Sequence, residues 1–257
     1  MAFLKGCIKS EVMHMDTDLA IILPHDRIRK RPGKPIRVLY LLHGLSGNFL
    51  EWSRYTALER YTREYELCVV MPSVQRSFYT DMKYGLPYYT FISEELPRLM
   101  KAMFGISADP KDTFIAGCSM GGYGALKMLM RNPENYGGAA AFSSAVDLKH
   151  SMLNEESRKL FPYPDITGVF GEKVEVGPED DLYAIAENYA KLPQAKEIPI
   201  YASCGTEDFL YPYNVEFRKK MEELGINYHY EEWPGVHGWD FWDQSIDKAL
   251  KYLLPNG

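Results

Sequence analysis

The sequence predicts an α/β fold: a mostly parallel central sheet flanked by helices on both faces. Three observations predict it. Short, nearly continuous apolar runs recur along the chain, helical patterns lie between them, and a G-x-S-x-G pentapeptide falls where one such run meets one such helix. A continuous apolar run is what a strand buried on both faces looks like. Strands alternating with helices imply βαβ units and a doubly wound sheet.

Taken in order, residues 3–10 and 18–24 read as two strands paired antiparallel near the start. RKRPGK at 29–34 is a basic, Pro/Gly-marked segment that reads as a solvated hairpin tip. IRVLYLLH at 36–43 is the first doubly buried strand. LCVVMP at 67–72, TFIAGC at 113–118, GAAAF at 138–142, IPIYASC at 198–204 and INYHYEEW at 226–233 follow the same pattern. Helical patterns cover 56–66, 88–104, 120–131, 182–191, 213–224 and 239–253, with Pro97 expected to kink the second or mark its early part. The stretch 147–181 is the least regular, with Pro162, Pro164, Gly168, Gly171, Gly177 and Pro178. It is expected to be a short cap-like excursion over the ligand crevice. The whole chain, 1–257, is expected to form one domain, because no linker or repeat interrupts it.

Composition narrows the function classes. The 257 residues include 29 basic and 35 acidic side chains, a formal net charge of −6, and 46% are hydrophobic. A mildly acidic chain lacks the excess of Lys and Arg that phosphate neutralisation needs, so no nucleic-acid partner is expected. No stretch approaches a membrane span, and no membrane partner is expected either. The four cysteines, Cys7, Cys68, Cys118 and Cys204, are widely spaced without a CxxC pair. They read as free thiols of a cytoplasmic protein. No His/acid cluster has ligand spacing, so neither a metal nor another cofactor is expected.

The motif carries the chemistry. Gly117-Cys118-Ser119-Met120-Gly121 follows the strand TFIAG and opens the helix MGGYGALKMLM. That placement is a nucleophile elbow: a turn so tight that its flanks are glycine, lifting a Ser hydroxyl onto a helix N-terminus. A serine hydroxyl needs a base within hydrogen-bond reach. Of six histidines, His237 lies in the loop PGVHG after the last strand and before the last helix. The base occupies that place in the α/β-hydrolase order Ser…Asp…His. The acid that holds the imidazole belongs after the strand IPIYASC, where Glu207 and Asp208 both stand. Asp208 is favoured, and Asp240 and Asp243 read as dipole-favourable acids at the start of the last helix.

A tetrahedral oxyanion needs preorganised N–H donors. One is expected from Met120, after the nucleophile, and the second from Leu45, in the loop His43-Gly44-Leu45-Ser46-Gly47. His43 is expected to hold that loop in shape. Five aromatics are expected to wall the substrate: Trp52, Phe78, Tyr79, Tyr211 and Trp239. Phe78 and Tyr79 lie in the loop 73–87, which is long enough to be functional.

These residues carry a resemblance. LYLLHGLSGN, Trp52, VVMP, FYTDMKYGLPYYTFISEELP, FIAGCSMGGYGALK, CGTEDFLY and the His237 loop with WDFW occur in this order. Together they resemble the tributyrin esterase branch of the esterase D-like α/β-hydrolases, from about Lys5 to the last helix. VFGE at 169–172 is also similar to that family, whereas Cys118 stands where relatives often carry Leu or His. The resemblance implies a serine carboxylesterase with the triad Ser119, Asp208 and His237, acting on small esters of short acyl chains. It also implies a homo-oligomer. Relatives that release feruloyl or acetyl groups from polysaccharides, or cleave S-formylglutathione, set the alternatives. A further alternative is a hydrolase-fold binding protein with a dead site, against which the intact Ser, His, acid and glycines count.

Overall fold

In the computed structural model, which describes residues 1–28, 33, 35–151, 153 and 166–255, the apolar runs become strands of one eight-stranded sheet. The strands are β1 (Ala2–Ser10), β2 (Met15–Leu23), β3 (Val38–Leu42), β4 (Cys68–Pro72), β5 (Thr113–Cys118), β6 (Gly138–Phe142), β7 (Ile200–Gly205) and β8 (Tyr228–Trp233). Their spatial order is β1-β2-β4-β3-β5-β6-β7-β8. β1 pairs antiparallel with β2 and β2 with β4; every other pairing is parallel. This is the α/β-hydrolase architecture.

The alternation of side chains along a strand divides the core in two. Val38, Tyr40 and Leu42 of β3 face one cluster, with Tyr123, Leu126 and Met130 of the helix Met120–Arg131. Leu39 and Leu41 face the other, with Trp52, Phe241, Ile246 and Leu250. Helices therefore cover both faces. The helix Met120–Arg131 is buried from Met120 to Met130, consistent with its central place beside β5 and β6.

One sequence expectation changes, and Pro97 takes the second of its two expected roles, marking the early part of a helix. The helix expected at 56–66 is two short helices, Glu51–Tyr55 and Leu58–Arg63. Thr56 between them is extended (φ −130°, ψ 166°), and the Ala57 N–H that would continue the first helix donates to Asp243 at 2.7 Å. Tyr61 Oη also donates to Asp243, at 2.8 Å, so that acid ties two helices together as well as sitting in the first turns of the last one. Pro97, in the helix Leu96–Phe104, does not break the chain of turns from residue 88. A π-helical turn at Phe91–Glu95 precedes it, and proline's missing donor falls in the first turn of the α-helix that follows, where no intrahelical partner is needed.

Of the expected tip at 29–34, only Gly33 lies among the described residues. Of the expected cap, residues 152 and 154–165 lie outside them. The described remainder packs on the loop 73–87, where Lys83 N–H donates to Val169 O at 2.9 Å and Tyr84 N–H to Gly168 O at 2.8 Å. Cys7 on β1 is exposed, whereas Cys68, Cys118 and Cys204 are buried, and all four thiols are free. Among the described residues, no helix is long and apolar enough to cross a membrane.

Candidate active site

Strand register assembles the site. Leu42 pairs with Gly117, Cys118 with Phe142, Phe142 with Ser203 and Gly205 with Trp233. The carboxyl ends of β3, β5, β6, β7 and β8 thus lie side by side, the end of an open α/β sheet where ligands bind. The loops leaving those ends carry His43–Gly47, Ser119, Asp208 and His237.

Ser119 sits between β5 and its helix with φ 55° and ψ −118°. That is a strained backbone for a residue with a Cβ, and the surroundings hold it. Its N–H donates to Phe142 O at 2.8 Å, and its carbonyl accepts from Tyr123 N–H and Ala145 N–H at 3.1 and 3.2 Å. The flanking glycines permit the close approach: a Cβ on Gly117 would lie 2.5 Å from the Gly121 carbonyl carbon, and one on Gly121 would strike the carbonyl of Leu42.

His237 Nε2 lies 3.1 Å from Ser119 Oγ, and Nδ1 lies 2.9 Å from Asp208 Oδ2 and 3.1 Å from Oδ1. A carboxylate only accepts, so the ring donates from Nδ1–H and Nε2 is left to accept the serine proton. The Asp208 side chain is wholly buried and that of His237 is 18% exposed. Leu210 N–H donates to Asp208 Oδ1 at 2.8 Å, fixing the carboxylate. Glu207 is exposed and turned elsewhere: its carboxylate accepts from Gly235 N–H, and its own N–H donates to Gly235 O at 3.1 Å. The structure therefore brings Asp208 to the imidazole and sets Glu207 as a clip on the His237 loop.

Met120 begins its helix, so its N–H is one of the unpaired amides of a helix N-terminus. Leu45 occupies a turn closed by Gly47 N–H donating to Gly44 O at 3.1 Å. The turn lies beside the serine: a Cβ on Gly44 would be 3.7 Å from Ser119 Cβ. Among the described residues, neither the Leu45 nor the Met120 amide has a protein acceptor. His43 holds the turn. Its Nδ1–H donates to Gly44 O at 2.8 Å, and its Nε2 accepts from Val74 N–H at 3.1 Å. Burial pushes its pKa down to about 4.

The expected aromatic walls are partly corrected. Trp52, Phe78 and Tyr79 are at most 1% exposed, so they support the site from behind and offer substrate no surface. Trp52 Nε1–H donates to Leu42 O at 3.0 Å, Phe78 packs on Tyr123 and Phe170, and Tyr79 Oη donates to His43 O at 2.9 Å. Their polar atoms and rings are taken up by neighbours, which is why they turn inwards. Tyr211 and Trp239 are half-buried; Tyr211 Oη donates to Glu232 at 3.1 Å, and Trp239 stands edge-on to Trp52 and Trp242.

Sequence reasoning missed two rings that touch the imidazole. Phe209, 54% exposed, lies with its centroid 4.6 Å from that of His237, and Trp242 meets His237 edge-on at 5.0 Å. The adjacency of Phe209 to Asp208 was the available signal. Among the described residues, no group of three or more His, Cys, Asp or Glu side chains could hold a metal ion.

The family model described as "Putative esterase" matches residues 10–253. The chain belongs to this esterase family. It is 33% identical to an acetyl esterase of Caldicellulosiruptor saccharolyticus over 98% of both chains. Among solved structures, it is similar to fluorophosphonate-binding serine hydrolase F of Staphylococcus aureus (32% identity, TM-score 0.88) and to S-formylglutathione hydrolase of the same organism (32% identity, TM-score 0.84). Each of these two covers 98% of both chains. The esterase is a carboxylic ester hydrolase.

Proposed function

We propose that this esterase hydrolyses short-chain acyl esters, acetyl to butyryl, through an acyl-enzyme on Ser119. The observation that carries the reading is the 3.1 Å contact of Ser119 Oγ with His237 Nε2, made by a serine on a strained elbow. Ser119 Oγ attacks the ester carbonyl carbon as Nε2 takes its proton. The developing oxyanion is met by the N–H groups of Met120 and Leu45, and Asp208 stabilises the imidazolium. The imidazolium returns its proton to the leaving alcohol, giving the acyl-serine. Water, deprotonated by His237, then attacks the acyl carbon and releases the carboxylic acid and Ser119.

The space beside Ser119 limits the acyl group. Among the described residues, the loop 73–87 is closed over by the backbone of Gly168 and Val169, and three expected aromatic walls are core residues. That favours a small acyl group over a long chain or a planar cinnamoyl group, and it agrees with the name of the acetyl esterase relative. It also keeps the tributyrin esterase branch as our placement within the family. The likeness to an S-formylglutathione hydrolase makes a thioester the second substrate to try. Three buried free thiols support action in a reducing compartment, the cytoplasm. A homo-oligomer, implied by the branch, is part of the same proposal.

The test is a rate panel on p-nitrophenyl acetate, butyrate and octanoate, methyl ferulate and S-formylglutathione, with the Ser119→Ala variant alongside. Acetate and butyrate are expected to be fastest, and Ser119→Ala to lose turnover and fluorophosphonate labelling while staying folded. Near-wild-type turnover by that variant would sink the nucleophile, and fastest turnover of octanoate would sink the acyl range.

A further inference from the structure

We propose that Tyr79 is a positioning residue for ester hydrolysis: its hydroxyl pins the His43 carbonyl and thereby aims the Leu45 N–H at the oxyanion. The inference rests on the reading above, in which Leu45 N–H is the second donor.

A trans peptide unit is planar, and its C=O and N–H point in opposite directions. The Gly44 carbonyl and the Leu45 N–H belong to one such unit. Gly44 O is held from two sides, by His43 Nδ1–H at 2.8 Å and Gly47 N–H at 3.1 Å. Fixing that oxygen fixes the opposite direction of the Leu45 N–H. The preceding unit, His43 C=O to Gly44 N–H, must be fixed too, or the whole turn swings about the His43 backbone. Its oxygen accepts from Tyr79 Oη at 2.9 Å.

Tyr79 is itself heavily constrained. Its ring lies on the nucleophile's helix at Gly124, where a Cβ would come 2.5 Å from Tyr79 Cδ2. Its carbonyl accepts from the Lys127 ammonium at 3.0 Å, and its N–H donates to Ser77 Oγ at 3.1 Å. Tyr79 and its neighbour Phe78 both have φ 51°, a left-handed backbone uncommon for aromatic residues. Such a conformation persists where surrounding contacts over-determine it, and it often marks a functional constraint. Lys127 is fully buried and also meets Thr80 Oγ1 at 2.9 Å and the Asp180 carboxylate. The helix that begins just after Ser119 therefore sets the height of Tyr79, and Tyr79 sets the oxyanion turn. Nucleophile and second donor are referenced to one rigid element, which keeps their spacing fixed during attack.

Tyr79→Phe removes the hydroxyl and leaves the ring on Gly124. The variant, titrated for active Ser119 with a fluorophosphonate, is expected to lose about tenfold in kcat on p-nitrophenyl acetate, the rate equivalent of one neutral hydrogen bond. KM is expected to change by less than about twofold, because the ground-state carbonyl draws less from the donor than the oxyanion does. The inhibition constant of a trifluoromethyl ketone, whose hemiketal oxyanion occupies the same place, should rise by the same factor as kcat falls. Wild-type kcat per labelled serine, or a loss confined to KM or to melting temperature, overturns the proposal. Ser119→Ala run in parallel separates the two readings. If it is inactive while Tyr79→Phe is fully active, only the positioning role falls; if it retains turnover, the nucleophile and the positioning role fall together.

Discussion

Val74 N–H donates to Nε2 of His43 at 3.1 Å, which makes that imidazole an acceptor on one side and a donor to Gly44 O on the other. Only the neutral Nδ1–H tautomer does both. Burial lowers the pKa to about 4, from an unfolded value near 6.5. The unfolded chain therefore binds a proton at this residue before the folded one does. The associated stability is full above about pH 6.5 and is lost progressively as the pH falls to about 4, by about 3 kcal/mol. Melting temperatures taken across that window should fall less steeply in His43→Gln than in the wild type. Equal slopes would show that His43 is not the group responsible.

The neighbouring acids Glu207 and Asp208 should separate sharply under mutation. Asp208→Asn presents an amide to Nδ1 and mis-sets the tautomer, which predicts a loss of about 10⁴-fold in kcat. Glu207→Gln keeps an oxygen that can accept from Gly235 N–H and should cost less than about tenfold. Steady-state rates on p-nitrophenyl acetate decide, and a crippled Glu207→Gln beside an active Asp208→Asn would reverse the assignment.

Lys127 and Asp180 form an ion pair with the ammonium side fully buried. Removing one partner leaves a buried charge alone, so Lys127→Met should cost about 3–5 kcal/mol in urea unfolding. Removing both charges, in Lys127→Met with Asp180→Asn, should recover much of that loss, because the desolvation cost goes with them. Additive losses in the double variant would show that the two residues stabilise the fold separately.

Phe209 and Val236, 54% and 62% exposed, leave apolar surface beside His237. Each methylene that an acyl chain buries there is worth about 0.8 kcal/mol. Phe209→Ala should therefore lower the butyrate-to-acetate ratio of kcat/KM by about threefold or more while changing the acetate rate little. An unchanged ratio would place the acyl chain elsewhere.

The centre of the sheet was legible because strands such as VLYLL and CVVMP are buried on both faces and are too short for a buried helix, whereas INYHYEEW, expected to follow the same pattern, holds the half-exposed edge strand β8. The elbow was legible because its requirements are local: glycines at fixed offsets between a strand and a helix. The acid was legible as a loop but not as a residue from spacing alone, since the choice between 207 and 208 depends on which carboxylate turns towards β8's loop. The aromatic walls misled for the same reason. Chain order puts Trp52, Phe78 and Tyr79 near the crevice, but the direction of each side chain is set by distant acceptors, Leu42 O for Trp52 and His43 O for Tyr79. Lys127 was invisible as a buried residue, because a lysine in a helix usually faces water. Its partner Asp180 comes 53 residues later. The break at Thr56 depends on Asp243, 186 residues from Ala57.

The thiols of this chain are unequally available. Cys118 and Cys204 flank the chemistry but are buried, and burial pushes them and Cys68 well above the usual thiol range, Cys68 to about 12. Cys7 alone faces solvent, on β1 at the far edge of the sheet. Four strand spacings separate β1 from β5, about 19 Å. A maleimide tether thus meets one accessible thiol, on the border opposite β8. The esterase can be anchored to a support in a single orientation, with Ser119 left open to the passing ester.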